Sequence, residues 1–402
     1  MDITLQPRKL RGEINIIPSK SQAHRLLICA AFADKVTQLH CPETNRDIEA
    51  TAECLSALGA QIQRTPYGYC VQPIGNHPQT AILNCCESGS TLRFLLPIAG
   101  AMGVDATFQM EGRLPQRPLS PLWEEMERMG CSLTRPTADT IRFTGKLRPG
   151  AYSIAGNVSS QYVTGLLFSL SLLEAESTLT LTGKVESTPY IKMTEKALSL
   201  FSVKISQTSN TYSLKNAHFT SPGHIYVEGD WSNGAFWTAA HNLGCELSVQ
   251  GLDTDSVQGD RAVLEILPRL CTGTPTVSAA DIPDLVPILS VFAAANKGAV
   301  FTDIHRLRIK ESDRVESTVN MIRALGGKAE AKEDTLTVFG TGLTGGTVDT
   351  VNDHRIAMSA AIAATVCTEP VTILDAQCVN KSYPQFWAEY ARLGGLYEQH
   401  LR

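Results

Sequence analysis

Six times along the chain, a residue able to cap a helix is followed by about 12 small and aliphatic residues. The runs are SKSQAHRLLICAAFA from Ser19, SGSTLRFLLPIAGA from Ser88, SSQYVTGLLFSLSLL from Ser159, SNGAFWTAAHNL from Ser232, DIPDLVPILSVFAAA from Asp281 and NDHRIAMSAAIAAT from Asn352. Each predicts an N-capped helix, apolar on nearly all sides and therefore buried. A second, amphipathic helix is expected after each, beginning near Asp47, Arg117, Pro189, Asp260, Glu311 and Ser382. Four of these end in a shared tail, ALGAQI, RMGCSL, ALGGKA or RLGGLY, which reads as a glycine C-cap. In the first three a short β-like segment follows, and alternating segments such as TLTLTG and TLTVFG lie between helices. The unit is β-α-β-α-β-β, repeated six times at spacings of about 70 residues with one gap near 50.

Six units in 402 residues divide into two domains of three units each. The boundary is expected near Val227–Asp230, where VEGD leads into the fourth unit. Residues 19–228 form the first domain; residues 1–18 and 229–402 form the second, the opening segment pairing with its sheet. Short crossings without a low-complexity linker suggest a hinge, with the active site in the cleft.

The segment RLRIKESDR, Arg306–Arg314, departs from this apolar pattern. Its alternation predicts a strand with Arg306, Arg308 and Lys310 on one face and Leu307 and Ile309 on the other, before a helix. Three repelling cations beside two carboxylates call for an anion bound there or for a solvated edge. Cations recur at unit starts elsewhere: Lys20, Arg25, Arg93 and Arg355, with Arg117, Arg314 and Lys381 at or before the amphipathic helices. Guanidinium forks grip phosphate and carboxylate bidentately, and helix N-termini favour the same charges. Ser159, Ser160 and Gln161 cap a helix and can bond a phosphate there, while Gly89 allows close approach to the backbone. Asp284, Glu311 and His354 are the acid–base candidates; Asp284, flanked by apolar residues in PDLVP, is expected to have a raised pKa.

Composition narrows the classes. Net charge is −5 and pI about 6.0, which disfavours a general nucleic-acid or membrane binder. Eleven scattered cysteines without a C-x-x-C spacing predict reduced thiols and a cytoplasmic setting. The opening MDITLQPRKLRGEI has no apolar core of a signal peptide, and Val163–Leu173 is too short to span a bilayer. No Walker loop, zinc motif, nucleophile elbow or dinucleotide fingerprint is present, so neither metal nor organic cofactor is expected.

The motifs SKSQAHR, SGSTLR, GRLPQRPL, SSQY, STPYI, PDLVP, RIKESDR, NDHRIAM and KSYPQF, in this order and with these gaps, resemble the 5-enolpyruvylshikimate-3-phosphate synthase family. The resemblance runs from Pro18 to Trp387, nearly the whole chain. It implies an α/β fold: a two-domain inverse α/β barrel of the enolpyruvyl transferase type, six βαβαββ units, three per domain. It also implies the reaction. The 5-hydroxyl of shikimate 3-phosphate attacks C2 of phosphoenolpyruvate as the methylene is protonated, and a tetrahedral intermediate then loses phosphate. The resemblance places Lys20, Ser21, Arg25, Ser159, Ser160, Gln161, Ser187, Asp284 and Lys310 on shikimate 3-phosphate. It places Lys20, Gly89, Arg117, Gln161, Arg314, Arg355 and Lys381 on phosphoenolpyruvate. Asp284 matches the base for the 5-hydroxyl and Glu311 the acid for the methylene, with Lys20 its rival. RLRIKESDR would then present Lys310 to one substrate and Arg314 to the other, its cations balanced by charges that arrive with the ligands. The partners are small anionic molecules, not nucleic acid or membrane, and a monomer is expected.

Three departures are visible. Cys86 and Glu87 stand where many members carry Gly-Asn, and Ser90 where many carry Thr, beside the pocket for phosphoenolpyruvate and the inhibitor glyphosate. Arg306 stands where some members have an Asn, and it receives no ligand role. The sibling family acting on UDP-N-acetylglucosamine carries a Cys before an Arg-Pro pair; here that loop is GRLPQRP, Gly112–Pro118, without one. A non-catalytic phosphosugar-binding protein on the same fold is the remaining alternative, and it leaves Asp284, Glu311 and Lys381 without a task.

Overall fold

In the computed structural model, which describes residues 1–400, the apolar runs and the amphipathic segments alternate as helices. They are α1 (Lys20–Ala31), α2 (Arg46–Ala57), α3 (Gly89–Met102), α4 (Leu122–Arg128), α5 (Ser160–Leu172), α6 (Thr188–Leu200), α7 (Trp231–Asn242), α8 (Val263–Thr272), α9 (Val286–Ala295), α10 (Arg314–Ala324), α11 (His354–Ala363) and α12 (Phe386–Arg392). Odd-numbered helices are the buried ones. Along α3, α5 and α11 nearly every side chain is inaccessible to solvent. The even-numbered helices expose one face, and the glycines that follow four of them, Gly59, Gly130, Gly326 and Gly394, take positive φ.

The chain divides into two compact units, Pro18–Glu228 and Met1–Ile17 with Gly229 onward, each around its own apolar core. Every four-stranded sheet has the same order, a parallel pair followed by two antiparallel strands; in three of them the parallel strands flank a buried helix, as the crossover requires, and a hairpin supplies the antiparallel strands. Thr80–Asn84 pairs in parallel with Asp105–Gln109 across α3, and Thr140–Gly145 and Cys131–Thr137 complete that sheet. In the sheet of Ala151–Ala155 and Ser177–Thr182, strands Thr211–Leu214 and Ser206–Thr208 do the same. The sheet Thr37–His40, Gly68–Gln72, Gln61–Thr65 takes its parallel strand, His224–Tyr226, from the far end of the same unit.

In the other unit, Thr276–Ser278, Gly298–Thr302, Thr335–Phe339 and Lys328–Ala331 repeat the order. The last sheet, Gly346–Asp349 and Val371–Leu374, is closed by the N-terminal strand Asp2–Leu5, which sits between Val371–Leu374 and Tyr397–His400. The pairing expected for the opening segment is thus found. One unit deviates: Arg11–Asn15 and Glu246–Gln250 form only a parallel pair, because no hairpin separates α8 from Thr276–Ser278. This missing hairpin is the short spacing between Ser232 and Asp281. Among the described residues no helix is long and apolar enough to cross a membrane.

Three expected helix starts are corrected. α7 is capped by Asp230, whose carboxylate accepts from the Asn233 N–H at 2.8 Å, rather than by Ser232. α9 starts at Val286, five residues after Asp281: Pro283 disfavours helix in Ile282, and Pro287 sits in the first turn, where its missing N–H is tolerated. α11 is capped by Asp353, and Asn352 stands outside it at φ 57°. RLRIKESDR is not a strand either. His305–Ile309 is a turn of 3₁₀ helix with Arg306 and Leu307 buried and Ile309 exposed, so the two faces read from alternation do not exist. Leu307 locks the turn into the core, donating its N–H to Ile304 O at 2.9 Å.

α3 and α5 cross at close range. A Cβ on Gly165 would collide with the main-chain oxygen of Arg93 and stand 2.8 Å from Pro97 Cγ. Backbone cannot yield as a flexible side chain does, so Gly165→Ala should cost about 1–3 kcal/mol despite the better helix propensity of Ala. Urea unfolding of the two proteins measures this, and an unchanged or raised midpoint would contradict the close crossing.

Candidate functional site

The expected site residues lie in two clusters, one in each unit. In Pro18–Glu228 they are gathered by the starts of the buried helices. Lys20 opens α1 and donates to Asp47 Oδ2 at 2.8 Å. One turn on, Arg25 is buried yet has no carboxylate among its hydrogen-bond acceptors. Its guanidinium donates to Thr194 Oγ1 (2.9 Å), Thr164 Oγ1 (3.2 Å) and the main-chain oxygens of Ser21 (2.6 Å) and Tyr190 (3.0 Å). Burial draws its pKa down to about 10, so the cation persists at neutral pH but is held by neutral oxygens and the face of Phe94.

Gly89 opens α3, and two guanidinium groups converge on it. A Cβ there would stand 2.5 Å from Arg93 Nη1 and 2.8 Å from Arg117 Nη1. Arg93 donates to Gln161 Oε1 and to Pro118 O, both at 3.1 Å, and Gln161 Nε2 donates to Ser90 Oγ at 3.0 Å. Ser90 therefore anchors Gln161. Ser159 caps α5 by accepting from the Gln161 N–H at 3.3 Å, and Ser160 is buried in the first turn. Ser187 precedes α6 in the left-handed region, φ 54°, and is also buried. Glu87 packs against Gly112, where any side chain would meet its carboxylate.

Hydroxyl chains tie these starts together. His24 Nδ1 lies 2.7 Å from Thr51 Oγ1, which lies 2.7 Å from Thr91 Oγ1, which donates to Ser88 Oγ at 2.7 Å. Burial, then Lys20 and Arg25, push His24 well below its ordinary pKa, so the ring is neutral. Arg25 joins α1 to α5 and α6 through Thr164 and Thr194.

The second cluster lies at the starts of α9, α10 and α11. Arg314, 1% exposed, holds three carboxylates. Nη1 donates to Asp284 Oδ1 (2.7 Å), Nη2 to Glu311 Oε2 (2.6 Å), and Nε to Asp353 Oδ2 (3.0 Å). Lys310 Nζ lies 3.5 Å from Asp284 Oδ1 and Arg355 Nη2 3.5 Å from Asp284 Oδ2. Lys381 Nζ donates to the main-chain oxygen of Asn352 at 3.0 Å, and His354 is buried at the first turn of α11. Val351, a β-branched residue, and Asn352 both have positive φ, setting the approach to the Asp353 cap.

The expected raised pKa of Asp284 is overturned. Burial does push it up, but Lys310, Arg355 and Arg314 together outweigh burial and hold the carboxyl far below the usual range. Burial opposes the Arg314 charge, while Asp353, Glu311 and Asp284 more than restore it. Burial lowers the Lys310 pKa, with Asp284 acting against it. The charge density of RLRIKESDR is therefore already balanced within the chain, not reserved for ligands. Sequence reasoning missed Asp353 and Asp47, the partners of Arg314 and Lys20. Asp353 stands inside the NDHRIAM motif, and choosing Asn352 as the cap hid it. Among the described residues no group of three or more His, Cys, Asp or Glu side chains is arranged to hold a metal ion.

The clusters differ in kind. The first holds Arg25 on neutral acceptors beside a Lys20–Asp47 ion pair, which suits anions; the second presents carboxylates clamped by cations, which suits controlled proton transfer. A 3-phosphoshikimate 1-carboxyvinyltransferase of Clostridium kluyveri is 37% identical over 415 residues, covering 98% of this chain and 97% of its own. Its counterpart in Clostridium novyi is 36% identical, covering 99% and 98%. Among solved structures, EPSP synthase from Acinetobacter baumannii superposes with a TM-score of 0.82 at 21% identity over 99% of this chain and all of its own. The enolpyruvyl transferase NikO from Streptomyces tendae does so at 0.76 and 16%, over 99% and 98%. At these identities the structures show the fold, the two-domain enolpyruvyl-transferase architecture. The model of the family described as EPSP synthase (3-phosphoshikimate 1-carboxyvinyltransferase) matches residues 5–390, and the chain belongs to that family.

Proposed function

We propose that this chain transfers the enolpyruvyl group of phosphoenolpyruvate to the 5-hydroxyl of shikimate 3-phosphate, releasing phosphate by addition and elimination. The observation that supports the reading is that two carboxylates, Asp284 and Glu311, which the reading makes base and acid, are held on one buried guanidinium, Arg314. Lys20, Ser21, Arg25, Ser159, Ser160, Gln161, Ser187 and Lys310 take the phosphosugar. Lys20, Gly89, Arg117, Gln161, Arg314, Arg355 and Lys381 take phosphoenolpyruvate. The oxygen of the 5-hydroxyl bonds to C2 while its proton passes to Asp284. Glu311, with Lys20 as the alternative, protonates C3, and expulsion of phosphate with loss of a C3 proton restores the double bond.

Asp284 is a weak base while Lys310, Arg355 and Arg314 all face it. Substrate phosphate and carboxylate groups compete for those cations, and each one drawn off raises the proton affinity of Asp284. The base is thus activated by the substrates it serves, and a charged pocket stays chemically quiet without them.

Phosphate release from phosphoenolpyruvate is expected with shikimate 3-phosphate and not with UDP-N-acetylglucosamine; release only with the latter reverses the assignment. Glu311→Gln should lower kcat on the order of 10²-fold or more with smaller changes in KM, measured by steady-state kinetics. An intact kcat with weakened binding of both substrates would make Glu311 a structural ion-pair partner. Gly89→Ala displaces two guanidinium tips and should raise KM for phosphoenolpyruvate about tenfold or more while leaving that for shikimate 3-phosphate little changed. Equal effects on both would place Gly89 elsewhere.

A further inference from the structure

Asp260 has no part in the mechanism above, yet it is a buried carboxyl in the electrostatic neighbourhood of Arg355. It lies in the short 3₁₀ turn Gly259–Ala262 before α8, 2% exposed. Oδ2 accepts from Ser232 Oγ of α7, while Oδ1 is buried with no hydrogen-bond partner. Arg355 is equally incomplete: Nε and Nη1 are buried without acceptors, and Nη2 reaches only Asp284, at 3.5 Å. The groups that act on Asp260 are Asp284 before α9, Arg355 of α11, Asp230 at the start of α7 and the Ser232 hydroxyl.

Charge accounting decides its state. Lys310, Arg314 and Arg355 already face Asp284, Glu311 and Asp353, and the Asp230 charge is used as the cap of α7. An ionised Asp260 would be a further buried anion, repelled by Asp284, with one oxygen lacking any donor. A neutral acid with its proton on Oδ2, donated to Ser232 Oγ, leaves only the uncharged carbonyl Oδ1 unsatisfied, a smaller penalty. Burial and the Asp284 charge accordingly push Asp260 up to about 7. Two carboxyls competing for one guanidinium share their protons: the one with more cations, Asp284, is charged and the other carries the proton.

We propose that Asp260 is a positioning residue for the acid–base cluster: a buried carboxyl that stays protonated while Asp284 is charged, leaving Arg355 committed to Asp284 and the substrate. The proposal rests on the reading of Asp284 and Arg355 given above. As pH rises through about 7, Asp260 ionises and becomes a rival anion that draws Arg355 away from phosphoenolpyruvate. KM for that substrate therefore rises on the alkaline side.

Infrared difference spectroscopy of the full chain, titrated between acidic and alkaline pH without substrate, reads Asp260 directly. The carbonyl stretch of a neutral carboxyl should disappear with a midpoint of about 7 and be missing from Asp260→Asn. Ser232→Ala removes the hydroxyl that favours the ion and should move the midpoint upward. An Asp260→Asn spectrum that keeps the band, or a Ser232→Ala midpoint equal to the parent's, overturns the proposal. In kinetics, Asp260→Asn should lose the part of the alkaline rise in KM for phosphoenolpyruvate that belongs to this group; an identical pH profile overturns the positioning role. A chain that turns over neither substrate pair but shows the band refutes the proposed reaction and leaves the protonated Asp260 standing.

Discussion

Arg314 is the interaction on which the second unit's chemistry depends. Removing a guanidinium from water costs several kcal/mol, and it is recovered here only because three carboxylates surround it. Those carboxylates come from three places in the chain: the turn before α9, the turn before α10 and the cap of α11. One residue thereby fixes three helix starts in relation to each other. The cap makes the linkage stiff, since Asp353 accepts from the Arg355 N–H at 2.9 Å with the same oxygen that faces Arg314 Nη2 at 3.3 Å. Ser312 donates to its other oxygen at 2.9 Å, leaving the carboxylate little freedom to turn.

The first unit solves the same problem in another way. Arg25 is as buried as Arg314, but its hydrogen bonds go to hydroxyls and main-chain oxygens, so its charge is solvated without being cancelled. Such a cation retains its field for an incoming anion, whereas a cation bound by carboxylates must first be released from them. Lys20 is intermediate, because Asp47 neutralises it at 2.8 Å and a substrate anion would compete with that carboxylate. The division matches the two demands of a reaction that binds several anionic groups and also moves protons.

Much of this was legible in the sequence, for physical reasons that differ by element. Buried helices announce themselves because they are apolar on every side, and the outer helices because glycine at a positive φ ends them. The six-fold repeat followed from those two signals. Even the short spacing had a meaning, an absent hairpin, though the pattern does not say which element is missing. RLRIKESDR was misread because an alternation of five residues satisfies a strand template while the true constraint is tertiary. Leu307 enters the core, and the charges turn toward Asp284, which lies 26 positions before Lys310 in sequence. Helix starts were misplaced where a neighbouring carboxylate, Asp230 or Asp353, won the cap, and where the prolines around Asp284 moved the start of α9 to Val286.

The error over Asp284 is the most instructive. Apolar sequence neighbours suggest desolvation, and desolvation is present, but it is outweighed by three cations that sequence proximity does not reveal. Asp260 shows the converse. Its own neighbours, Gly259 and Arg261, give no hint of a raised pKa, and the raise comes from burial and from Asp284. The two carboxyls are therefore pushed in opposite directions within one cluster, set by which of them the cations reach. The motifs named the groups; the network of partners, distributed over distant segments, decides which group carries the charge and which carries the proton.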